Sequence, residues 1–290
     1  MTIKSVFITG AGLMGSGIAQ VCAQSGINVI LNDISQEAIE KGVENIAWSV
    51  SKFIEKGKIT EDKDTVLNRI STTDDFSKAA DADLAIEVVF EKLELKQEIF
   101  KKLDEFCKSD AIIASNTSAI PITELASITN RPEKVLGIHF FSPVPMMPVG
   151  EVIRGISTTE ETISSGIEFV KSIGKEPIRV ENDVPGFLLN RINFPSTIEA
   201  IHLVEQGVGT VEDIDKGMRL AFGRRMGPFE TGDMVGLDVT YGALMACYEE
   251  TKDPRFYPPQ LLRRKVKAGH LGRKRGKGWY EYNEDGTRKA

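Results

Sequence analysis

The chain has 290 residues, 41% of them apolar and 27% charged, and a formal net charge of −6 at pH 7. This composition is typical of a globular protein with one large and one smaller domain, and the negative charge argues against nonspecific nucleic-acid binding. The three cysteines are widely spaced and no apolar run reaches membrane-spanning length, so we expect a cytoplasmic protein with no membrane segment, no disulfide framework and no metal site.

The first predicted unit is a buried strand followed by a glycine-rich turn and a helix. Val6, Phe7 and Ile8 form the apolar strand, and residues 10–15 follow with the spacing G-x-G-x-x-G. In this pattern the first glycine permits the tight turn, the second lets the backbone approach a pyrophosphate, and the third lets the helix pack close to the sheet. The helix N-terminus would offer N–H groups and a positive dipole end to that pyrophosphate.

A second predicted strand indicates where an adenosine ribose would be held. The apolar run 27–31 ends in Asn32 and Asp33, about 20 positions after the glycines, where a carboxylate typically binds the ribose hydroxyls. Because this carboxylate would repel a 2′-phosphate and no arginine follows it directly, the pattern favours NAD over NADP. The alternative is a plain strand-to-helix turn that binds nothing.

A long helix with clustered lysines comes next. Ser35 is a typical N-cap, and the pattern predicts a helix over 35–58. Its later part carries Lys52, Lys56 and Lys58. These lysines form either a solvated face or contacts for the phosphates of a polyphosphorylated substrate.

Strands and helices alternate through the following part of the chain. Predicted strands span 83–89, 111–114, 134–138 and 177–180, and predicted helices span 93–106, 122–127 and 159–172. The alternation predicts a doubly wound parallel sheet of the Rossmann type, in which ligands bind beyond the carboxyl ends of the strands. The side chains expected to face one crevice there are Asp33, Glu91, Ser118 and His139.

A turn at 183–186 separates this pattern from one that is helical throughout. The predicted helices span 187–206, with a kink at Pro195, and then 211–221, 237–250 and 259–268. We therefore expect an NAD-binding domain over 1–184 and an all-helical substrate and dimerisation domain over 185–290. The apolar content of the first of these helices indicates a dimer interface.

The residues from 261 to 280 include eight lysines or arginines and no acidic residue. They form either a solvated surface or a phosphate-binding stretch that includes Lys274.

His139 is the histidine that best fits a catalytic role. It follows a predicted strand, where the reactive end of a dinucleotide should lie, whereas His202 lies within a helical pattern and His270 in the basic stretch. An imidazole of ordinary pKa near ~6.5 is suited to accept a hydroxyl proton at neutral pH. Glu151, twelve residues later among apolar neighbours, would orient and charge the ring. The alternative is a core histidine with a structural role.

These motifs together resemble the short-chain 3-hydroxyacyl-CoA dehydrogenase family, most of all its bacterial 3-hydroxybutyryl-CoA dehydrogenases. The resemblance covers essentially the whole chain. The motifs that carry it are Gly10-Ala11-Gly12-Leu13-Met14-Gly15 with Asp33, Ala114 to Ser118, His139-Phe140-Phe141, Glu151-Val152-Ile153, Pro185 to Arg191, Gly227-Pro228-Phe229 and Gly276 to Tyr280.

The resemblance implies a role for each matching residue. The catalytic residues it implies are His139, Glu151, Ser118 and Asn190. The NAD contacts it implies are Gly10, Gly12, Leu13, Met14, Gly15, Asp33, Glu91, Lys96, Ser118, Ser142 and Lys274. The acyl-CoA contacts would be Lys52, Lys56, Lys58, Ser118 and Asn190. The family fold, a Rossmann domain with a dimerising helical domain, agrees with the pattern, and the implied reaction belongs to fatty acid and butyrate metabolism.

The chain departs from the family pattern after His139. Ser142 stands where the family usually has asparagine, and residues 146–150 replace a spacer that usually contains lysine. These changes leave the reaction type unaltered but bear on chain-length preference and rate. Two alternatives stay open: a dehydrogenase for a free hydroxy acid or sugar acid on the same scaffold, and a dinucleotide-binding protein without catalytic activity.

Overall fold

The structure, a computed structural model, describes residues 2–289 and divides the chain into two compact units, the first ending at Val184 and the second beginning at Pro185. The strands of the first unit are β1 (Ser5–Thr9), β2 (Asn28–Asn32), β3 (Ile70–Thr73), β4 (Leu84–Glu87), β5 (Ile112–Ser115), β6 (Val135–Phe140), β7 (Val149–Arg154) and β8 (Glu176–Val180). Its helices are α1 (Leu13–Gln24), α2 (Gln36–Glu55), α3 (Lys63–Leu67), α4 (Leu93–Phe106), α5 (Ile122–Ala126) and α6 (Glu160–Ser172).

The eight strands form one sheet in the order β3-β2-β1-β4-β5-β6-β7-β8. All neighbouring pairs are parallel except β6 and β7, which are antiparallel. The order changes direction between β1 and β4, and the crevice beyond such a switch point is where ligands bind in doubly wound sheets.

Burial explains why these segments form strands and helices. All residues of β4, β5 and β6 are buried, as expected for strands covered by helices on both faces. Helix α2 is amphipathic: it begins where the Ser35 hydroxyl accepts a hydrogen bond from the Ala38 amide at 3.2 Å, and it buries Ile39, Ile46 and Val50. The sheet therefore provides a rigid edge on which the loop residues are placed.

In its described residues, the second unit is built mainly from helices, with two short 3₁₀ turns and isolated β-bridges after residue 271. The helices are α7 (Leu189–Glu205), α8 (Val211–Phe222), α9 (Pro228–Val235), α10 (Leu237–Thr251) and α11 (Gln260–Lys267). Pro195 lies inside α7, as the sequence predicts. The buried carboxylate of Asp215 on α8 accepts hydrogen bonds from the Phe229 and Glu230 amides at 2.9 Å each and thereby holds α8 against the start of α9.

The predicted fold class, a doubly wound α/β sheet followed by a helical domain, is confirmed. The prediction that the sheet is parallel throughout is wrong at β7. The connection from β6 to β7, residues 141–148, is too short for the crossover that a parallel pair needs, so the chain returns antiparallel. The sequence reasoning also missed β7 itself, together with β3, α3 and α9, all of which are short. Among the described residues, none of the helices combines the length and apolarity needed to cross a membrane.

Candidate active site

The glycine-rich turn between β1 and α1 has the geometry of a pyrophosphate site. Gly10 adopts a φ of +109°, and a Cβ atom there would lie 2.6 Å from the carbonyl oxygen of Val88. A Cβ atom at Gly15 would lie 1.8 Å from the Gly10 oxygen, whereas one at Gly12 would meet no atom within 4 Å. The start of α1 has neither a side-chain cap nor an acidic residue in its first turn. Its amides are therefore available to an anion, as a dinucleotide requires.

Asp33 lies beside this turn, at the carboxyl end of β2. Its Oδ2 atom accepts a hydrogen bond from the Ala11 amide at 2.8 Å, and its Oδ1 atom accepts one from the Ser35 amide at 3.0 Å. Two backbone donors therefore fix an acidic group next to the turn. The carboxylate is an acceptor that fits the hydroxyl groups of an adenosine ribose without a 2′-phosphate.

Replacing Gly12 by alanine tests the turn directly. Because a methyl group there meets no protein atom but occupies the space open to a pyrophosphate, we expect the Gly12→Ala variant to keep the wild-type unfolding temperature and to bind NADH at least about tenfold more weakly. Fluorescence titration with NADH measures the dissociation constant. Gly217→Ala on α8, where a methyl group also meets no atom within 4 Å, is the matched control. Wild-type NADH affinity in Gly12→Ala would contradict the assignment.

A buried ion pair lies between the ends of β4 and β5. Lys96 Nζ lies 2.7 Å from Oε1 of Glu87, and the two side chains are 1% and 0% exposed. The other Glu87 oxygen accepts a hydrogen bond from the Ser115 hydroxyl at 2.6 Å. Lys96 also lies 3.2 Å from Oε2 of Glu91, so one ammonium group serves two carboxylates. Lys96 is therefore held inside the protein, and its predicted contact with the cofactor stays a prediction.

Glu91 holds the turn that carries Ser118. One of its oxygens, Oε1, accepts hydrogen bonds from the Thr117 hydroxyl at 2.5 Å, the Ser118 amide at 2.9 Å and the Ala119 amide at 3.1 Å. Burial by itself would raise the pKa of Glu91, but the Lys96 ammonium and these hydrogen bonds lower it below its ordinary value. The carboxylate therefore stays charged and keeps the turn in place.

His139 and Glu151 face each other across β6 and β7. The antiparallel register pairs the two residues directly, so their side chains lie on the same face of the sheet. Nδ1 of His139 lies 2.7 Å from Oε2 of Glu151, and Nε2 lies 3.0 Å from the Ser118 hydroxyl. The histidine side chain is 4% exposed and the glutamate is fully buried. The predicted contact between the pair is thus present in the structure.

These hydrogen bonds determine which ring nitrogen is available for chemistry. A carboxylate accepts but does not donate, so Nδ1 of His139 carries the proton that it shares with Glu151. In the neutral ring Nε2 then carries the acceptor electron pair, and it accepts a hydrogen bond from the Ser118 hydroxyl. Such an arrangement could act chemically as a base at the end of β6, with a carboxylate that would stabilise the imidazolium form.

The lysines predicted to bind phosphate differ in their surroundings. Lys52 pairs with Glu55 at 2.8 Å, and the ammonium of Lys58 lies 5.5 Å from the centre of the Phe53 ring. Lys56 is exposed at the end of α2, and within residues 2–289 no acidic side chain pairs with it. Lys58 also lines a cleft of about 450 Å³ in the first unit. Their role in substrate binding stays a prediction.

The remaining predicted site residues lie elsewhere. Ser142 is partly buried in the 141–148 connection, two residues after the end of β6. Asn190 lies in the first turn of α7, and Lys274 pairs with Asp238 at 2.8 Å, both within the second unit. The structure describes the two units separately, so the predicted contacts of Asn190 and Lys274 with substrate or cofactor stay predictions.

Sequence reasoning missed several polar residues at the same edge of the sheet. Glu87, Ser115 and Asn116 are buried at the ends of β4 and β5, and all three are hydrogen-bonded to neighbouring strands or loops. A charged residue that ends an otherwise apolar strand, as Glu87 does, was the available signal. The sequence shows no partner for it because Lys96 lies nine residues later on a helix.

Comparison with known proteins shows to which family the chain belongs. Residues 5–184 match the model of the 3-hydroxyacyl-CoA dehydrogenase NAD binding domain, and residues 186–282 match the model of the C-terminal domain of the same enzymes. A probable 3-hydroxybutyryl-CoA dehydrogenase of Bacillus subtilis is 43% identical over 98% of this chain and 99% of its own length.

Solved structures of related proteins support the same family assignment. The (S)-3-hydroxybutyryl-CoA dehydrogenase PaaH1 of Ralstonia eutropha is 43% identical, with a TM-score of 0.90 over 98% of this chain and 100% of that one. FadB2 of Mycobacterium tuberculosis is 40% identical, with a TM-score of 0.94 over the same shares of the two chains. The chain therefore belongs to the 3-hydroxyacyl-CoA dehydrogenase family of NAD-dependent enzymes.

Proposed function

We propose that this protein oxidises (S)-3-hydroxyacyl-CoA, with 3-hydroxybutyryl-CoA as the substrate, to 3-oxoacyl-CoA, and that it reduces acetoacetyl-CoA in the reverse direction. The observation that carries the proposal is the hydrogen-bonded series Ser118, His139 and Glu151 at the carboxyl edge of the sheet that also bears the glycine-rich turn. The names of the relatives support the choice of substrate.

The proposed mechanism assigns proton transfer to this series. Nε2 of His139 takes the proton of the substrate 3-hydroxyl group, because Nδ1–H is held by Glu151 and the substrate hydroxyl can replace the Ser118 hydroxyl as the donor to Nε2. The Glu151 carboxylate stabilises the resulting imidazolium. The Ser118 hydroxyl, which donates to Nε2 in the structure, can donate to the substrate oxygen instead. NAD, when bound, supplies the hydride acceptor. In the reverse direction the imidazolium returns the proton.

Asn190 is the second polar residue that the resemblance assigns to the substrate, and we propose it as a substrate-binding residue of the second unit. We also propose that this unit forms a homodimer. Large apolar side chains on its surface support this, and the most exposed are Ile192, Val208, Leu220, Phe222 and Val239. Light scattering on the purified protein measures the mass of the assembly, and a monomer would contradict the proposal.

An activity panel tests the substrate. NADH formation is followed with 3-hydroxybutyryl-CoA, with the N-acetylcysteamine thioester of the same acid, and with free 3-hydroxybutyrate. We expect turnover of both thioesters, a KM at least about tenfold lower for the CoA ester, and no turnover of the free acid. Preference for the free acid would favour a dehydrogenase for free hydroxy acids or sugar acids. No turnover of any of the three, with NADH binding intact, would favour a dinucleotide-binding protein without catalytic activity.

Lysine variants test the contact with the CoA phosphates. Replacing Lys52, Lys56 and Lys58 together by alanine should raise KM for the CoA ester by about tenfold at low salt, with a smaller effect at high salt, since exposed charges are screened. The N-acetylcysteamine thioester has no phosphates, so its kcat/KM should not change. Lys41→Ala on the same helix is the control. An equal loss with both thioesters would contradict the phosphate contact.

A further inference from the structure

Asn116 lies where the ends of three strands meet. It follows β5 directly, and its backbone amide donates a hydrogen bond to the Glu87 carbonyl at the end of β4 at 2.9 Å. Its side-chain oxygen accepts a hydrogen bond from the Phe140 amide on β6, also at 2.9 Å. Asn116 is therefore hydrogen-bonded to the peptide group that joins His139 to Phe140, directly beside the proposed base.

Only the oxygen of the Asn116 side-chain amide has a hydrogen-bond partner. The Phe140 amide is a donor, so the atom that faces it must be the oxygen, and the orientation of the group is fixed. Within residues 2–289 the Nδ2 group, which has two hydrogens to donate, meets no acceptor, although the residue is only 9% exposed. The Nδ2 atom is not among the fully buried unpaired polar atoms of the described residues, so it reaches the protein surface at this edge of the sheet, where it can donate to a ligand or a water.

The position of Asn116 indicates which ligand its Nδ2 group would bind. Asp33 and the glycine-rich turn, at β1 and β2, account for the adenosine half of the dinucleotide. The other half must then lie over the ends of β4, β5 and β6. The nicotinamide ring must also come close to His139, because the hydride and the hydroxyl proton leave adjacent atoms of the substrate. The acceptor nearest to the reacting position of that ring is its carboxamide oxygen.

We propose that Asn116 is a further cofactor-binding residue: its Nδ2 group donates a hydrogen bond to the nicotinamide carboxamide oxygen, while its Oδ1 atom fixes the β6 backbone beside His139. This contact orients the ring relative to the base. It rests on the family's use of NAD and is independent of which hydroxyacyl substrate the enzyme prefers.

The Asn116→Asp variant separates the two roles of the side chain. Aspartate keeps an oxygen for the Phe140 amide but replaces the Nδ2 donor with a second oxygen, which repels the carboxamide oxygen. NADH is the probe because its ring is uncharged, and ADP-ribose is the control ligand because it retains everything except nicotinamide. We expect the dissociation constant for NADH to rise at least about tenfold in titration calorimetry. The constant for ADP-ribose should stay within about twofold of the wild-type value.

Two further measurements keep the test decisive. The wild-type protein should bind the thionicotinamide analogue of NADH about threefold more weakly than NADH, since sulfur is the poorer acceptor, and Asn116→Asp should not distinguish the two. Asn116→Leu, which loses both contacts, should lower the unfolding temperature, whereas Asn116→Asp should not. Unchanged NADH affinity in Asn116→Asp, or an equal loss for ADP-ribose, would overturn the proposal. Failure of the wild-type protein to bind either ligand would instead count against the NAD site itself.

Discussion

Replacing His139 by glutamine is expected to lower kcat by about 10²- to 10⁴-fold, the usual contribution of a positioned general base. Glutamine has a similar length but no group that can accept the hydroxyl proton. NADH formation from 3-hydroxybutyryl-CoA measures the loss. Because Gly12 and Asp33 are untouched, the dissociation constant for NADH should stay within about twofold of the wild-type value.

Glu151→Gln provides the graded comparison. Glutamine can still accept the hydrogen bond from Nδ1 of His139, but it carries no charge to stabilise the imidazolium. We therefore expect a smaller loss in kcat, about 10- to 100-fold, again with NADH binding retained. If both variants turned over substrate at the wild-type rate, the proposed proton transfer would be wrong.

Replacing Lys96 by methionine is expected to destabilise the first unit by about 3–5 kcal/mol. Methionine fills a similar volume, but it leaves the carboxylate of Glu87, which is fully buried, without its counter-charge. Unfolding by urea, followed by circular dichroism, measures the change in the free energy of unfolding. Lys52→Met removes the pair with Glu55, where both partners are about half exposed, and should cost less than about 1 kcal/mol.

The double variant Glu87→Gln with Lys96→Met shows whether the cost arises from the unpaired charge. Removing both charges should recover part of the stability that Lys96→Met loses, because Glu87 then no longer leaves an unpaired charge in the interior, although Glu91 still lacks the Lys96 ammonium. A Lys96→Met variant as stable as Lys52→Met would mean that water reaches Glu87 and that the pair is not isolated from solvent.

Much of the fold could be predicted because the signals are local. The turn at 10–15 and the apolar run of β1 lie within a few residues of each other, and the spacing of the apolar residues along α2 repeats with the helical period. The strand β3 carries one partly buried isoleucine followed by Ser71, Thr72 and Thr73, so its composition gives little indication of a strand. Its place in the sheet depends on pairing with β2, which is distant in sequence.

The candidate site was less predictable from the sequence than the fold. The resemblance pointed to His139 and Glu151, but spacing alone left a structural histidine equally open, since twelve residues fit many arrangements. What decides the contact is the antiparallel register of β6 and β7, and the sequence reasoning did not identify β7 as a strand. The hydrogen bonds of Glu91 and Asn116 join segments more than 20 residues apart, so no local pattern reveals them.

Because β7 runs antiparallel to β6, insertions and deletions in the gene should be tolerated at some positions around His139 and Glu151 and not at others. Extra or missing residues within 141–148 change the length of the connection but leave His139 opposite Glu151. A single residue added within β7 after Glu151 would instead put Glu151 out of phase with the rest of the strand, because side chains alternate between the two faces along a strand. Length variation in functional homologues should therefore fall in the connection and be absent from the two strands.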